Sequence, residues 1–173
     1  MSSFNGFKEV TEKLDAIDFN PYKKIGKEWF LVTAGDESGW NTMTASWGFA
    51  GVMWGKNTFT TVIRPQRYTK EFIDKAEYFT ISFFKEEYKK ALSFCGSHSG
   101  RDCDKAKETG LTPCEIDGST AFEEADMVFV CRKIYTKDME ENDFTDKSLL
   151  KFYESDPFHK AFTGEIVSVY QKK

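Results

Sequence analysis

The sequence predicts a mainly β fold with helical decorations, an antiparallel barrel or curled sheet. Three observations carry that prediction. Six or so β-capable runs punctuate the chain. The short helical runs between them do not follow a regular βαβ order. Seventeen Phe, seven Tyr and four Trp supply the apolar bulk that a curled sheet must bury. The 173 residues suit one domain spanning 1–173, long enough for a real core.

Phe7, Val10, Leu14 and Ile17 recur at helical spacing and predict a short amphipathic helix, which Asn20-Pro21 breaks. Trp29–Ala34 (WFLVTA) is the first strand, ended by the turn residues Gly35–Gly39. Asn41–Val52 (NTMTASWGFAGV) is β-capable but rich in small and hydroxyl residues, and Gly55-Lys56-Asn57 closes it. Thr58–Ile63 (TFTTVI) alternates until Arg64-Pro65 stops it. Thr69–Lys75 predicts a helix with Thr69 as N-cap. Tyr78–Phe84 (YFTISFF) is the strongest strand signal in the chain. Glu86–Phe94 predicts a helix with Tyr88, Ala91 and Leu92 as its apolar stripe. Cys95–Gly100 reads as a polar, glycine-flanked loop, and residues 104–109 as a helix ending at Gly110. Ala125–Ile134 (ADMVFVCRKI) and Phe162–Tyr170 (FTGEIVSVY) are the last strands, separated by an acidic loop or solvated face over Asp138–Asp146.

Composition excludes several classes. Lys and Arg number 24 against 28 Asp and Glu, a net charge of −4, which argues against a nucleic-acid partner. No apolar run nears the roughly 20 residues that span a bilayer. The start, MSSFNGFKEVTEKLDAIDF, lacks a basic segment followed by an apolar one, so the expectation is a cytoplasmic protein with no secretory leader. Cys95, Cys103, Cys114 and Cys131 contain no CxxC pair and read as free thiols; no metal site is expected. There is no P-loop, no GxGxxG after a strand and no GxSxG elbow.

Four segments carry surplus polar groups beside β structure. In Asn41–Gly48, strand alternation puts Thr44 and Ser46 on one face and Ala45 and Trp47 on the other. Such small residues admit a planar body against the backbone, and equally suit a barrel strand with a glycine bulge. In Arg64–Thr69, two arginines meet a helix start, a combination that suits an anion or a surface turn paired with carboxylates. Cys95–Asp102 offers glycines and serines for a backbone nest near Arg101, or a flexible connector. His159, in Asp156–His159, reads as a structural hydrogen-bonding partner. Together these segments suit a planar, phosphorylated ligand.

The runs NTMTASWG, IRPQRYTKEFID, YFTISFF, SGRDCDK with TGLTP, EEADMVFVCRKIY and GEI resemble the flavin reductase-like proteins, flavoredoxin included, from about Asn20 to Tyr170. The resemblance implies an FMN-binding split β-barrel and a homodimer with non-covalent FMN near the subunit interface. It implies that Thr44, Ala45, Ser46 and Trp47 lie along the isoalloxazine ring. Arg64, Arg67, Tyr68 and Thr69 then serve the phosphate and ribityl side, while Ser97, Ser99, Gly100 and Arg101 close over the flavin. No catalytic acid or base is carried over, because hydride chemistry belongs to the cofactor. The activity implied is NAD(P)H-dependent flavin or ferric reduction. The alternatives are a flavoredoxin-like carrier reduced by a protein partner, or a non-catalytic flavin- or heme-binding module.

Overall fold

The computed structural model describes residues 6–173; residues 1–5, where the leader reading begins, lie outside the described residues. The strands are β1 (Phe7–Glu9), β2 (Phe30–Asp36), β3 (Gly39–Ala45), β4 (Gly48–Met53), β5 (Lys56–Ile63), β6 (Tyr78–Phe83), β7 (Pro113–Ile116), β8 (Ser119–Phe122), β9 (Met127–Asp138) and β10 (Lys160–Lys172). One eight-stranded sheet runs β3-β2-β6-β9-β10-β5-β4, with β1 beside β10, and β7-β8 forms a separate hairpin. Every pairing is antiparallel.

That order dictates the shape. β3 and β4 stand at opposite ends of the sheet, yet only Ser46 and Trp47 separate them in sequence. The sheet must therefore curl until its two ends meet, without pairing to each other. The product is a β-barrel split along one seam, and the connector Ser46-Trp47 bridges the seam.

Alternation along each strand then sorts the core. Phe30, Val32, Phe59, Phe83 and Phe129 point inward, where Phe30, Phe59, Phe83 and Phe129 meet at centroid distances of 5.4–6.2 Å. Their neighbours Leu31, Val128 and Val130 point the other way, to a second cluster with Leu92 and Phe122. Aromatic edge contacts of this kind add to the burial that holds the barrel. A β-carbon on Gly164 in β10 would lie 2.6 Å from Cys131 Cβ on the neighbouring β9 and 2.8 Å from the Phe79 ring, which is why glycine stands there.

The helices are α1 (Pro21–Lys23, continued by a π turn over Lys24–Glu28), α2 (Tyr68–Lys75), α3 (Lys89–Ser97) and α4 (Lys105–Thr109). Among the described residues no helix is long and apolar enough to cross a membrane. All four cysteines are free.

Several local expectations need correction. The predicted helix over 7–17 is β1 followed by a 3-10 segment, Thr11–Ala16, because Phe7 is buried where its strand pairs with β10. Asn20-Pro21 starts a helix: the Asn20 side chain accepts from Lys23 N at 3.2 Å, and Pro at the first position forgoes no bond. Thr69 is not the N-cap of α2; Arg67 holds that place, and the Thr69 hydroxyl instead accepts from Asn41 Nδ2 at 2.8 Å. The loop expected from Cys95 begins only after Ser97, because Cys95 is buried and Ser97 Oγ donates back to Ser93 O. The β7-β8 hairpin, with Asp117 and Gly118 at positive φ, was not foreseen. Asp138–Asp146 is a solvated face, as one of the two expectations had it, but it contains the end of β9 and a 3-10 turn, Glu141–Asp143.

Candidate functional site

The seam opens into a cleft of about 280 Å3, lined along one side by Met43, Thr44, Ala45, Ser46 and Trp47 and closed by Val62, Arg64, Arg67 and His159. Thr44, Ala45, Ser46 and Trp47 thus share one cavity. The expected alternation holds for Thr44, turned to α3, and Ala45, packed in the barrel core, and stops there because β3 ends at Ala45 and Ser46 and Trp47 cross the seam outside any strand. Thr44 Oγ1 donates to Leu92 O and ties β3 to α3. Trp47 remains 43% exposed at the rim.

Behind this cleft lies a smaller cavity of about 140 Å3, and Arg67 lines both. Tyr68, Thr69, Ser97, Ser99 and Gly100 line the smaller one, as the sequence reading expected of a single site, together with Asn41, His98 and Lys105. Arg101 stands behind the wall of this cavity. Its guanidinium lies 4.5 Å from the Tyr68 ring centre, donates to Gln66 O at 3.3 Å and pairs with Glu71.

The charge pattern is one-sided. The chain carries 28 Asp and Glu, yet none lines either cavity. Arg67 has no hydrogen-bond or ion-pair partner for its guanidinium among the described residues, and burial pulls its pKa down. Lys105 is 5% exposed, and its ammonium donates to Thr42 O and Cys95 O, each at 2.8 Å. Burial above all, helped by the like charge of Arg67, pulls Lys105 down to about 8. Two partly buried cations, two serine hydroxyls and the start of the eight-residue helix α2 make an anion receptor.

His159 closes the other end. Its Nδ1 shares a hydrogen bond with Tyr153 Oη at 3.0 Å, and its ring lies 5.2 Å from that of Trp47. Burial, then Arg64, holds it down at about 4, so it is neutral at pH 7. Cys95, beside the smaller cavity, is pushed up to about 11 by burial and carries no thiolate there.

Lys105 and Val62 lie outside the four segments singled out in the sequence, Asn41 and Met43 lie within one without an assigned role, and His159 was given a structural part only. A lysine inside SGRDCDK reads as surface charge; nothing local signals that it is buried. Among the described residues no group of three or more His, Cys, Asp or Glu stands together as a metal site.

Residues 22–173 match the family described as flavin reductase like domain. Among solved structures the chain is similar to flavoredoxin of Desulfovibrio vulgaris (Miyazaki F), with 24% identity, TM-score 0.66, and coverage of 84% of this chain and 69% of that one. It is similar to an FMN-binding domain of a flavin reductases-like enzyme from Shewanella baltica OS155 (19% identity, TM-score 0.66, 96% and 77% covered). A third is a Shewanella frigidimarina protein described as having a split barrel domain (18%, TM-score 0.68, 95% and 79%). No curated protein matches the chain.

Proposed function

Because the chain belongs to the flavin reductase like family, we propose that it binds FMN non-covalently across the seam and acts as an NAD(P)H-dependent flavin or ferric reductase. One observation carries the reading: the unpartnered guanidinium of Arg67 stands between a flat cleft and a polar cavity, both free of carboxylates. A ligand with a planar ring at one end and a phosphate at the other satisfies both.

In this reading Thr44, Ala45, Ser46 and Trp47 flank the ring. Arg67, Tyr68, Thr69 and the start of α2 hold the phosphate and ribityl side, with Lys105 as a second cation. Ser97, Ser99 and Gly100 close the cavity, and Arg101 braces Tyr68. Bound there, FMN supplies the hydride and electron transfer that no side chain of this chain offers. The Ser46 hydroxyl and the main chain of the connector are the donors available where reduction adds negative charge. His159, neutral at pH 7, adds a polar edge without adding charge.

A homodimer is part of the proposal. β4 is an end strand, and Phe49, Val52 and Trp54 are 59%, 72% and 60% exposed along it and its turn. A second copy would cover this apolar face. Light scattering tests it: a monomer at every concentration removes the dimer from the reading.

Anaerobic mixing of the FMN-loaded protein with NADH and with NADPH tests the activity. Rapid bleaching of the flavin supports a reductase. A loaded protein inert to both nucleotides supports the flavoredoxin-like carrier instead.

A further inference from the structure

Arg64 and Arg67 leave the same connector between β5 and α2, yet their guanidinium groups have opposite surroundings. Arg67 is unpartnered. Arg64 donates through Nη1 to Pro157 O at 3.1 Å and through Nη2 to Phe152 O at 3.0 Å. It also lies 3.6 Å from Asp156 Oδ2 and 5.4 Å from the Tyr153 ring centre. All four partners belong to the excursion of residues 139–159 between β9 and β10. Gln66, two residues on, donates to Asp156 Oδ1 at 3.2 Å.

The excursion has a small core of its own, in which Phe144, Tyr153 and Phe158 meet at 4.6–5.7 Å. It brings Phe152 and His159 against Trp47, at 5.4 and 5.2 Å, over the mouth of the ring cleft. Apart from Lys137 at the end of β9, Arg64 and Gln66 are the residues outside the excursion that hold it by hydrogen bonds or ion pairs, among the described residues.

We infer that Arg64 is a positioning residue: it straps the 139–159 excursion across the cleft and sets where Phe152 and His159 stand against Trp47. Its planar fork reaches the two carbonyl oxygens from separate nitrogens, Nη1 and Nη2, a fixed spread that the single nitrogen of a lysine ammonium does not reproduce. A phosphate drawn to Arg64 would share a guanidinium already engaged by two carbonyl oxygens and Asp156, whereas Arg67 offers all of its donors.

The test compares Arg64→Lys, Arg64→Ala and Arg67→Ala with the wild type. Limited proteolysis of residues 139–159 and NMR titration of the His159 imidazole are read without flavin. The ratio of FMN to riboflavin affinity is read by fluorescence and rests on the flavin reading above. With Arg64 as a strap, both Arg64 variants are cleaved faster, and Arg64→Lys raises the His159 titration from about 4 toward its ordinary range while keeping the positive charge. Both keep the wild-type FMN-to-riboflavin ratio, which collapses in Arg67→Ala. The inference is overturned if Arg64→Lys matches the wild type in cleavage and titration, or if Arg64→Ala collapses the ratio as Arg67→Ala does. Should Arg64→Ala not fold, Arg64→Lys decides alone. If no variant binds flavin, the flavin reading fails, and proteolysis with the imidazole titration still decides the strap.

Discussion

Gly100 and Asn41 approach so closely that a β-carbon on Gly100 would lie 2.0 Å from Asn41 Oδ1. Asn41 has little room to retreat: it is buried, and its Nδ2 donates to Thr69 Oγ1 at 2.8 Å. The contact therefore locks the serine- and glycine-rich loop after α3 to β3 and to the first turn of α2. Gly100→Ala is expected to push the amide aside and destabilise the protein by about 1–3 kcal/mol. It should also weaken FMN binding severalfold. Urea unfolding and a flavin titration check both effects, and a variant unchanged in either contradicts the lock.

Arg67→Ala separates a binding residue from a structural one. Removal of a charge-assisted contact to phosphate is expected to cost about 1.5–3 kcal/mol of FMN affinity and none of riboflavin affinity. Without ligand the same change removes a partly buried, unpartnered charge, so the apo-protein should be as stable as the wild type or more so. Parallel melting curves with and without FMN read both halves.

Lys105 gives the anion cavity a pH dependence. Burial holds its pKa near 8, so the cavity loses one positive charge as the pH rises through that value. FMN affinity should fall across that range while riboflavin affinity stays level, and Lys105→Met should flatten the FMN curve. The same variant removes the ammonium donor from Cys95 O and leaves Thr42 O with the longer bond from Asn41 Nδ2, 3.4 Å, at an expected cost of about 1–3 kcal/mol in stability.

His159 acts on the acid side. Its folded pKa, about 4, lies below the ordinary value of 6.5, so between those values the unfolded chain binds the proton and the folded chain does not. Stability should therefore fall as the pH drops from about 6.5 to 4, by on the order of 2–4 kcal/mol from this group. His159→Gln should remove that part of the slope in denaturant titrations across the range.

The barrel was legible in the sequence because its strands carry strong local signals. WFLVTA, TFTTVI and YFTISFF place alternate residues on two faces, and one face of each strand packs into the inner cluster, Phe30, Val32, Phe59, Ile63, Phe79, Ile81 and Phe83 among it. The N-terminal stretch misled because Phe7, Val10 and Leu14 satisfy helical spacing, while the partner that makes Phe7–Glu9 a strand lies at the far end of the chain in β10. The same limit governs the site. The segments around Ser46, Arg67 and Ser99 were visible by their polarity next to β structure. Arg64 and Arg67 look alike in RPQR; only the return of residues 152–157 to the connector separates them. Lys105 became a cavity cation through burial under β3 and α3, a property of the fold and not of its neighbours in sequence.

The most direct measurement is a pair of titrations of the purified apo-protein, with FMN and with riboflavin, following quenching of flavin fluorescence. Saturation at one FMN per chain, with riboflavin bound roughly ten- to a hundredfold more weakly, is the expected result. Failure to bind FMN, or equal affinity for both flavins, would contradict a phosphate anchored between Arg67 and Lys105.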